Sequence, residues 1–385
     1  MPAPVTNATV PAVRPRNRRE LVLFAAAELF YTRGYAAVSM QDLAEAVGMG
    51  PSALYRHFRN KQDVLRVIGI GSVEFVLERL ESEPGELAEC LATIAVSHRR
   101  TGVLVRRERL HLEPVHLLEA QLLEARLVAH VEGRVQAARP DLGPDDVRLL
   151  AGVLLGVVWS RSWVPAHPHD VREHAVLSAL LAGLLVARLP SPGPLASVVG
   201  PGLPSSRREE LLGAAIELFA RHGFHNVAMS DLRSRAGTAS TRVYQELGSK
   251  VGVLQAAAIR AVEVFRLARH QAVSETADAR AALDAAVAAT VRAVLTNTSL
   301  AAIALVECDA LPAELARPVL SARSSLMDEW RLHLAAVHPD WDPPEIRLRI
   351  AAFFVTLESV ARDDELRALG DLEATLAAVG RHLLA

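Results

Sequence analysis

The chain has 385 residues, 51% hydrophobic and 22% charged, which excludes a disordered polymer and leaves room for two domains with full cores. An aromatic content of 4% and the dominance of Ala, Leu, Val and Arg favour helices over sheets, so an all-α fold is expected. A net charge of −2 excludes a uniformly basic chain that coats nucleic acid by charge alone, so any such binding must be local. The two cysteines, Cys90 and Cys308, have neither CxxC nor metal spacing, which excludes a disulfide scaffold and points to a reducing cytoplasm.

Residues 1–16 read as an arm rich in Pro, Ala and Val, without the basic start and apolar run of a signal peptide, so no export is expected. Beyond the arm the chain matches itself. Residues 18–65 and 207–254 align without a gap at an offset of 189, with about 19 of 48 positions identical, among them Phe30/Phe219, Gly34/Gly223, Asp42/Asp231, Tyr55/Tyr244 and Lys61/Lys250. Five prolines with Gly and Ser mark 190–206 as a linker. The expected division is 17–66 and 67–189 for the first half, then 207–255 and 256–385 for the second.

In chain order, Leu21, Phe24, Ala25, Glu28 and Leu29 suggest the inner face of a first helix, with Leu211, Leu212, Ala215, Leu218 and Phe219 in the second copy. Gly34 or Gly223 should end it. A short second helix fits 40–47, capped by Ser39 with Asp42 near its positive end; Ala228 holds the cap position in the second copy, where Ser230 or Asn226 is the candidate substitute. After a turn at 48–50, Pro51 suits the first position of a third helix running through Tyr55 and His57. Two short helices joined by a small-residue turn form a helix-turn-helix.

These residues, AAAELFYTRGYAAVSMQDLAEAVGMGPSALYRHFRNKQDVL over 25–65, resemble the TetR/AcrR family of bacterial transcriptional regulators. The resemblance implies a DNA-binding head, a helical ligand-binding body and dimerisation through the last two helices of each half. Charge agrees: residues 14–66 carry nine basic and five acidic groups and 207–260 eight and five, so the excess positive charge lies on both heads.

A recognition helix enters the major groove by its N-terminus, which brings Gly50, Pro51 and Ser52 closest to bases and Tyr55, Arg56 and His57 one turn on. Tyr55 could equally be a core aromatic with its hydroxyl at the surface. Lys61 and Ser39 would hold phosphate. Arg14 and Arg16 could enter a minor groove or stay in a solvated arm. In the second head Gln245-Glu246-Leu247 replaces Arg56-His57-Phe58, and Glu246 would repel phosphate. Arg233, Thr238, Ser240, Thr241, Arg242, Tyr244, Gln245 and Lys250 are its candidate DNA contacts, the alternative being a degenerate head kept as a structural half.

The bodies suit about six helices each, broken at Pro84-Gly85, Pro114, Pro140, Gly143-Pro144 and Pro165, then at 296–299, Pro312, Pro339, Pro343-Pro344 and Gly370. The apolar runs 149–159 and 175–189 are shorter than a bilayer needs and read as buried helices, so no membrane partner is expected. Gly152, Gly156 and Ala182 permit close helix approach. By the resemblance, helices over 147–159, 171–189, 345–362 and 371–384 would pack the halves as an intramolecular pseudo-dimer, and whole chains could pair further. Two unlike heads would read an asymmetric double-stranded operator.

The resemblance also implies a largely apolar inducer pocket in each body, taking a small apolar effector, with His98, Arg106, His111, His116, Trp159 and Trp163 as candidate polar lining in the first body and Glu307, Trp330 and His333 in the second. His167-Pro168-His169-Asp170 lacks a third spaced ligand, so neither metal nor cofactor is expected. No Gly-rich phosphate loop, GxSxG or HExxH is present to support an enzyme. The remaining alternatives are a homodimer using only the first head and a helical carrier of apolar ligands.

Overall fold

The computed structural model describes residues 18–82, 85–164, 171–193, 206–235, 249–274, 276 and 278–385. Good helix formers fill Arg18–Arg33, and this segment is helix α1. Its buried stripe is Val22, Ala26 and Phe30, four residues apart on one face, while Leu21 is exposed. The face expected from sequence was rotated by one position. The apolar band on α1 is wide enough for either choice, and packing against the helices that follow selected Val22. Gly34 then adopts φ +76, and its amide closes the helix onto the Phe30 carbonyl.

Helix α2 (Met40–Ala46) starts in a reciprocal cap: Ser39 Oγ accepts the Asp42 amide and Asp42 Oδ2 accepts the Ser39 amide at 2.7 Å. Pro51 opens α3 (Pro51–Leu54) with its fixed φ, and a turn leads to α4 (Lys61–Ser82). The expected boundary at 66/67 falls inside α4, so one continuous helix joins head and body. The first body continues through α5 (Leu87–Ser97), α6 (Thr101–Arg106), a 3₁₀ turn over Glu108–His111, α7 (Pro114–Ala138), α8 (Pro144–Ser160) and α9 (Val171–Val186).

The second half repeats this order. Helices α10 (Arg207–His222) and α11 (Met229–Arg235) form its described head, and α12 (Lys250–Ser274) crosses 255/256 as α4 crosses 66/67. At α11 only half of the cap exists: Asp231 accepts the Ala228 amide at 2.7 Å, and no hydroxyl answers it. Asn226 does not substitute, because its amide donates to the Leu110 and His222 carbonyls. The body comprises α13 (Ala279–Thr296), α14 (Thr298–Leu305), a 3₁₀ turn over Glu307–Ala310, α15 (Ala313–Val337), α16 (Pro343–Arg362), α17 (Asp364–Arg367) and α18 (Glu373–Leu383). From 103 onward the bodies align at an offset of 199, pairing Glu108 with Glu307, Pro140 with Pro339 and Pro144 with Pro343.

Among the described residues all regular structure is helical apart from one bridge, Gly193 to Asp371, which ties the linker's start to the loop before α18. The halves meet through α8, α9, α16 and α18, the intramolecular pseudo-dimer expected from sequence. Helix α8 is apolar nearly all round because one face packs in its own body and the other on α16. At the crossing, a Cβ on Gly156 would come within 2.8 Å of Thr356 Cα, so only glycine allows this approach. No single described helix is long and apolar enough to cross a membrane.

Candidate nucleic-acid interface

Leu54 and Phe58 are buried and anchor α3, which turns Gly50, Pro51, Ser52, Tyr55, Arg56 and His57 outward. Tyr55 is 54% exposed, which removes the core alternative for its ring. The outward surface is therefore a narrow ridge with little bulk at its N-terminal end and a phenol, a guanidinium and an imidazole behind. Ser39 is exposed beside it, with its amide and hydroxyl engaged by Asp42. Those hydrogen bonds, aided by Arg33, hold the Asp42 carboxyl down to about 2.

Lys61 does more than present a charge. Its Nζ donates to the Tyr35 carbonyl at 2.8 Å and lies 4.1 Å from the Tyr35 ring centroid. Burial lowers its pKa, countered by Glu108 and Asp42. Lys250 repeats the arrangement over Phe224 at 4.3 Å, with its ammonium on the His225 carbonyl. Both lysines thus clamp the loop after the first head helix. In the second head, Thr238, Ser240, Thr241, Arg242, Tyr244 and Gln245 lie outside the described residues, as do Arg14 and Arg16 at the N-terminus; Arg233 lies on α11.

The joint between head and body was missed from sequence. Glu108, buried in the 3₁₀ turn after α6, accepts the Tyr35 amide at 2.9 Å; Glu307 accepts the Phe224 amide at 2.7 Å. Burial raises both carboxyls, Glu307 to about 7, while the amide bonds oppose the rise. Arg107 pairs with Glu108, reaches Asp309 of the other half at 3.2 Å, and donates to the Phe30 and Tyr31 carbonyls at the end of α1. Aligning the bodies at an offset of 199 would have exposed the paired glutamates.

Candidate pocket residues separate into groups. His111 and Glu307 line a cleft of about 720 Å³ between the halves at the base of the heads. There His111 stacks on Tyr35 and lies 5.1 Å from the His225 ring; burial, with His225, Lys61 and Arg107 nearby, pushes it down to about 4. Arg106 and Trp159 line a second cavity of about 160 Å³ in the first body. The others have structural partners: His98 stacks on Phe75, His116 faces Glu119, Trp163 donates to the Leu305 carbonyl, Trp330 is enclosed by Phe353 and Phe354, and His333 bonds the Ala279 carbonyl. Among the described residues no three His, Cys, Asp or Glu form a metal-sized group, and residues 167–170 lie outside them.

The family model for bacterial regulatory proteins of the tetR family matches residues 22–68 and again 211–257. Relatives by sequence include the nucleoid occlusion factor SlmA of Alteromonas mediterranea, 38% identical over 71 residues, covering 18% of this chain and 34% of that protein. The transcriptional activator FasR of Mycolicibacterium smegmatis is 37% identical over 83 residues, covering 22% and 38%. The match thus spans about a third of the length of these relatives. Among solved structures, the ketosteroid transcriptional regulator KstR2 of Mycobacterium tuberculosis aligns with TM-score 0.39 and 20% identity over 45% of this chain and 95% of that one. A TetR-family regulator from Bordetella parapertussis aligns with TM-score 0.40 and 21% identity over 45% and 95%. Two matches to one family model, in register with the internal repeat, show two tetR-type N-terminal domains in tandem in a single polypeptide.

Proposed function

We propose that the chain is a DNA-binding transcriptional regulator that reads duplex DNA with its heads and is released by a small effector bound in its body. The observation that carries this reading is the outward ridge Gly50-Pro51-Ser52-Tyr55-Arg56-His57, held to the body through Tyr35 and Glu108. The N-terminal end of α3 is narrow enough to approach base edges, while Arg56 and His57 supply donors for phosphate or base. Because the pseudo-dimer joins two heads of different sequence, the operator is asymmetric, with unlike half-sites about one helical turn apart. Thr238, Ser240, Thr241, Arg242, Tyr244 and Gln245 are the proposed contacts of the second head, with Arg233 and Lys250 beside them.

Repression is the proposed mode: a head that occupies a promoter blocks it, and an effector that favours the off-DNA geometry shifts the population and frees it. The test is fluorescence anisotropy with DNA from the gene's own upstream region at two salt concentrations, comparing the intact chain with Tyr55→Ala/Arg56→Ala and with Arg242→Ala/Tyr244→Ala. Loss of salt-dependent specific binding in both variants supports two reading heads. Loss in the first alone makes the second head structural and requires two chains on the operator. No specific binding by the intact chain overturns the regulator reading and leaves the carrier of small ligands.

A further inference from the structure

The 160 Å³ cavity of the first body collects an unusual set of charges. Arg106 ends α6, Arg109 lies in the 3₁₀ turn that follows, and Arg362 arrives from α16 of the other half. Glu358, also from α16, is shared between Arg106 and Arg362, and Glu124 pairs with Arg109. Asp363, on the rim, is turned to the amides of Glu365 and Leu366. Three guanidiniums thus pair directly with two carboxylates, while Asp363 on the rim and Glu307 near Arg362 supply further negative charge. The Nε–H groups of Arg106 and Arg109 and the Ser359 hydroxyl are buried and have no hydrogen-bond partner. Buried donors are normally satisfied, and leaving one orphaned is unfavourable. Burial, with Arg362 and Arg109 close by, holds the Arg106 pKa well below its ordinary value. One wall is apolar, formed by Leu127, Val128, Leu155 and Trp159.

The corresponding place in the second body differs. At the offset of 199, Leu305 replaces Arg106, Cys308 replaces Arg109, Met327 replaces Val128 and Phe354 replaces Leu155. The cavity there shrinks to about 30 Å³ and is lined mostly by apolar side chains, with Arg323 and Glu358 at its wall. Glu358, which stands at Trp159's position in the repeat, lines this smaller cavity and pairs across the seam with Arg106.

We infer that the chain has one effector site, in the first body, which takes a small organic anion, a short-chain carboxylate whose oxygens meet Arg106, Arg109 and Ser359 and whose tail rests on the apolar wall. The volume corresponds to about five waters of liquid, which sets the ligand's size. The site rests on the regulator reading only for its consequence. Arg106 and Arg109 flank Glu108, whose carboxylate holds the Tyr35 amide, so ligand binding acts on the first head within two residues of the joint.

Isothermal titration of the full chain with sodium butyrate, sodium phosphate and 1-butanol tests the site without DNA. Butyrate should bind once per chain and at least tenfold more tightly than butanol or phosphate. Arg109→Gln should weaken it at least tenfold. Val128→Met with Leu155→Phe, which installs the second body's residues and leaves every charge in place, should abolish it while thermal unfolding stays cooperative. Equal binding by the filled variant, two butyrates per chain, or affinity for butanol equal to that for butyrate would overturn the site; preference for phosphate would overturn the carboxylate class. In anisotropy, butyrate should release operator DNA from the wild type and not from the filled variant, and release from both would overturn the coupling. Arg109-dependent butyrate binding in a chain that holds no DNA supports the site while overturning the regulator reading.

Discussion

Glu307 and Phe224 are joined by a buried hydrogen bond of 2.7 Å from the Phe224 amide to the Glu307 carboxylate, the bond that fastens the second head to its body. Its carboxyl, raised by burial from the ordinary 4.5 to about 7, is protonated more readily in the folded chain than in the unfolded one. The stability from this group is complete below about pH 4.5 and is lost as pH rises towards 7, by at most about 3 kcal/mol. Glu307→Gln removes the dependence. In thermal melts from pH 5 to 8 the wild type should lose stability relative to the variant as pH rises, and a constant difference would refute the assignment.

Lys61 and Arg56 are both basic residues of the first head, and they should respond differently to truncation. Arg56 is exposed, so Arg56→Ala should leave the melting temperature unchanged and reduce the salt slope of DNA binding by about 1. Lys61 holds the Tyr35 carbonyl and ring, so Lys61→Ala should lower stability by about 1–2 kcal/mol as well as affinity. Paired denaturation and anisotropy measurements separate the two; identical behaviour would mean that Lys61 acts only as a point charge.

The unequal caps of α2 and α11 make opposite substitutions informative. Ser39→Ala breaks a complete reciprocal cap and should cost about 1 kcal/mol. Ala228→Ser supplies the hydroxyl missing opposite Asp231 and should stabilise the second head by a similar amount. Urea titration reads both, and a destabilised Ala228→Ser would show that the second head cannot accept the cap geometry.

Gly156→Leu tests the seam between the halves. A side chain there must displace Thr356 and its backbone, so the variant should lose several kcal/mol or separate the halves. Leu366 gives at Gly152 because its tip alone is in the way, so Gly152→Ala should cost less. Limited proteolysis in the 190–206 linker, followed by size exclusion, distinguishes these outcomes: a nicked wild type stays associated and a nicked Gly156→Leu dissociates.

Much of the fold was legible because it depends on local rules. Gly34 and Gly223 end helices through positive φ, Pro51 starts one through its fixed φ, and Ser39 caps one through its hydroxyl, each decided within a few residues. The repeat followed from the pattern of identities, the all-helical class from composition, and the pseudo-dimer from the family resemblance. The sequence left Tyr55 open as core or surface, and the burial of Leu54 and Phe58, at i and i+4, decides which face of α3 is exposed.

Tertiary structure decided what local patterns leave degenerate. The α1 stripe admits two rotations, and only packing chooses Val22, Ala26 and Phe30. Lys61 reads as a phosphate contact until Tyr35 is seen 26 residues upstream under its ammonium. The glutamates of the head joints and Arg106 of the first-body cavity have partners 73 to 252 residues away, where no spacing rule reaches. An ionisable side chain in a helix is the same letter whether it faces water or another carboxylate, and the low dielectric that makes it functional exists only once both halves have closed over it.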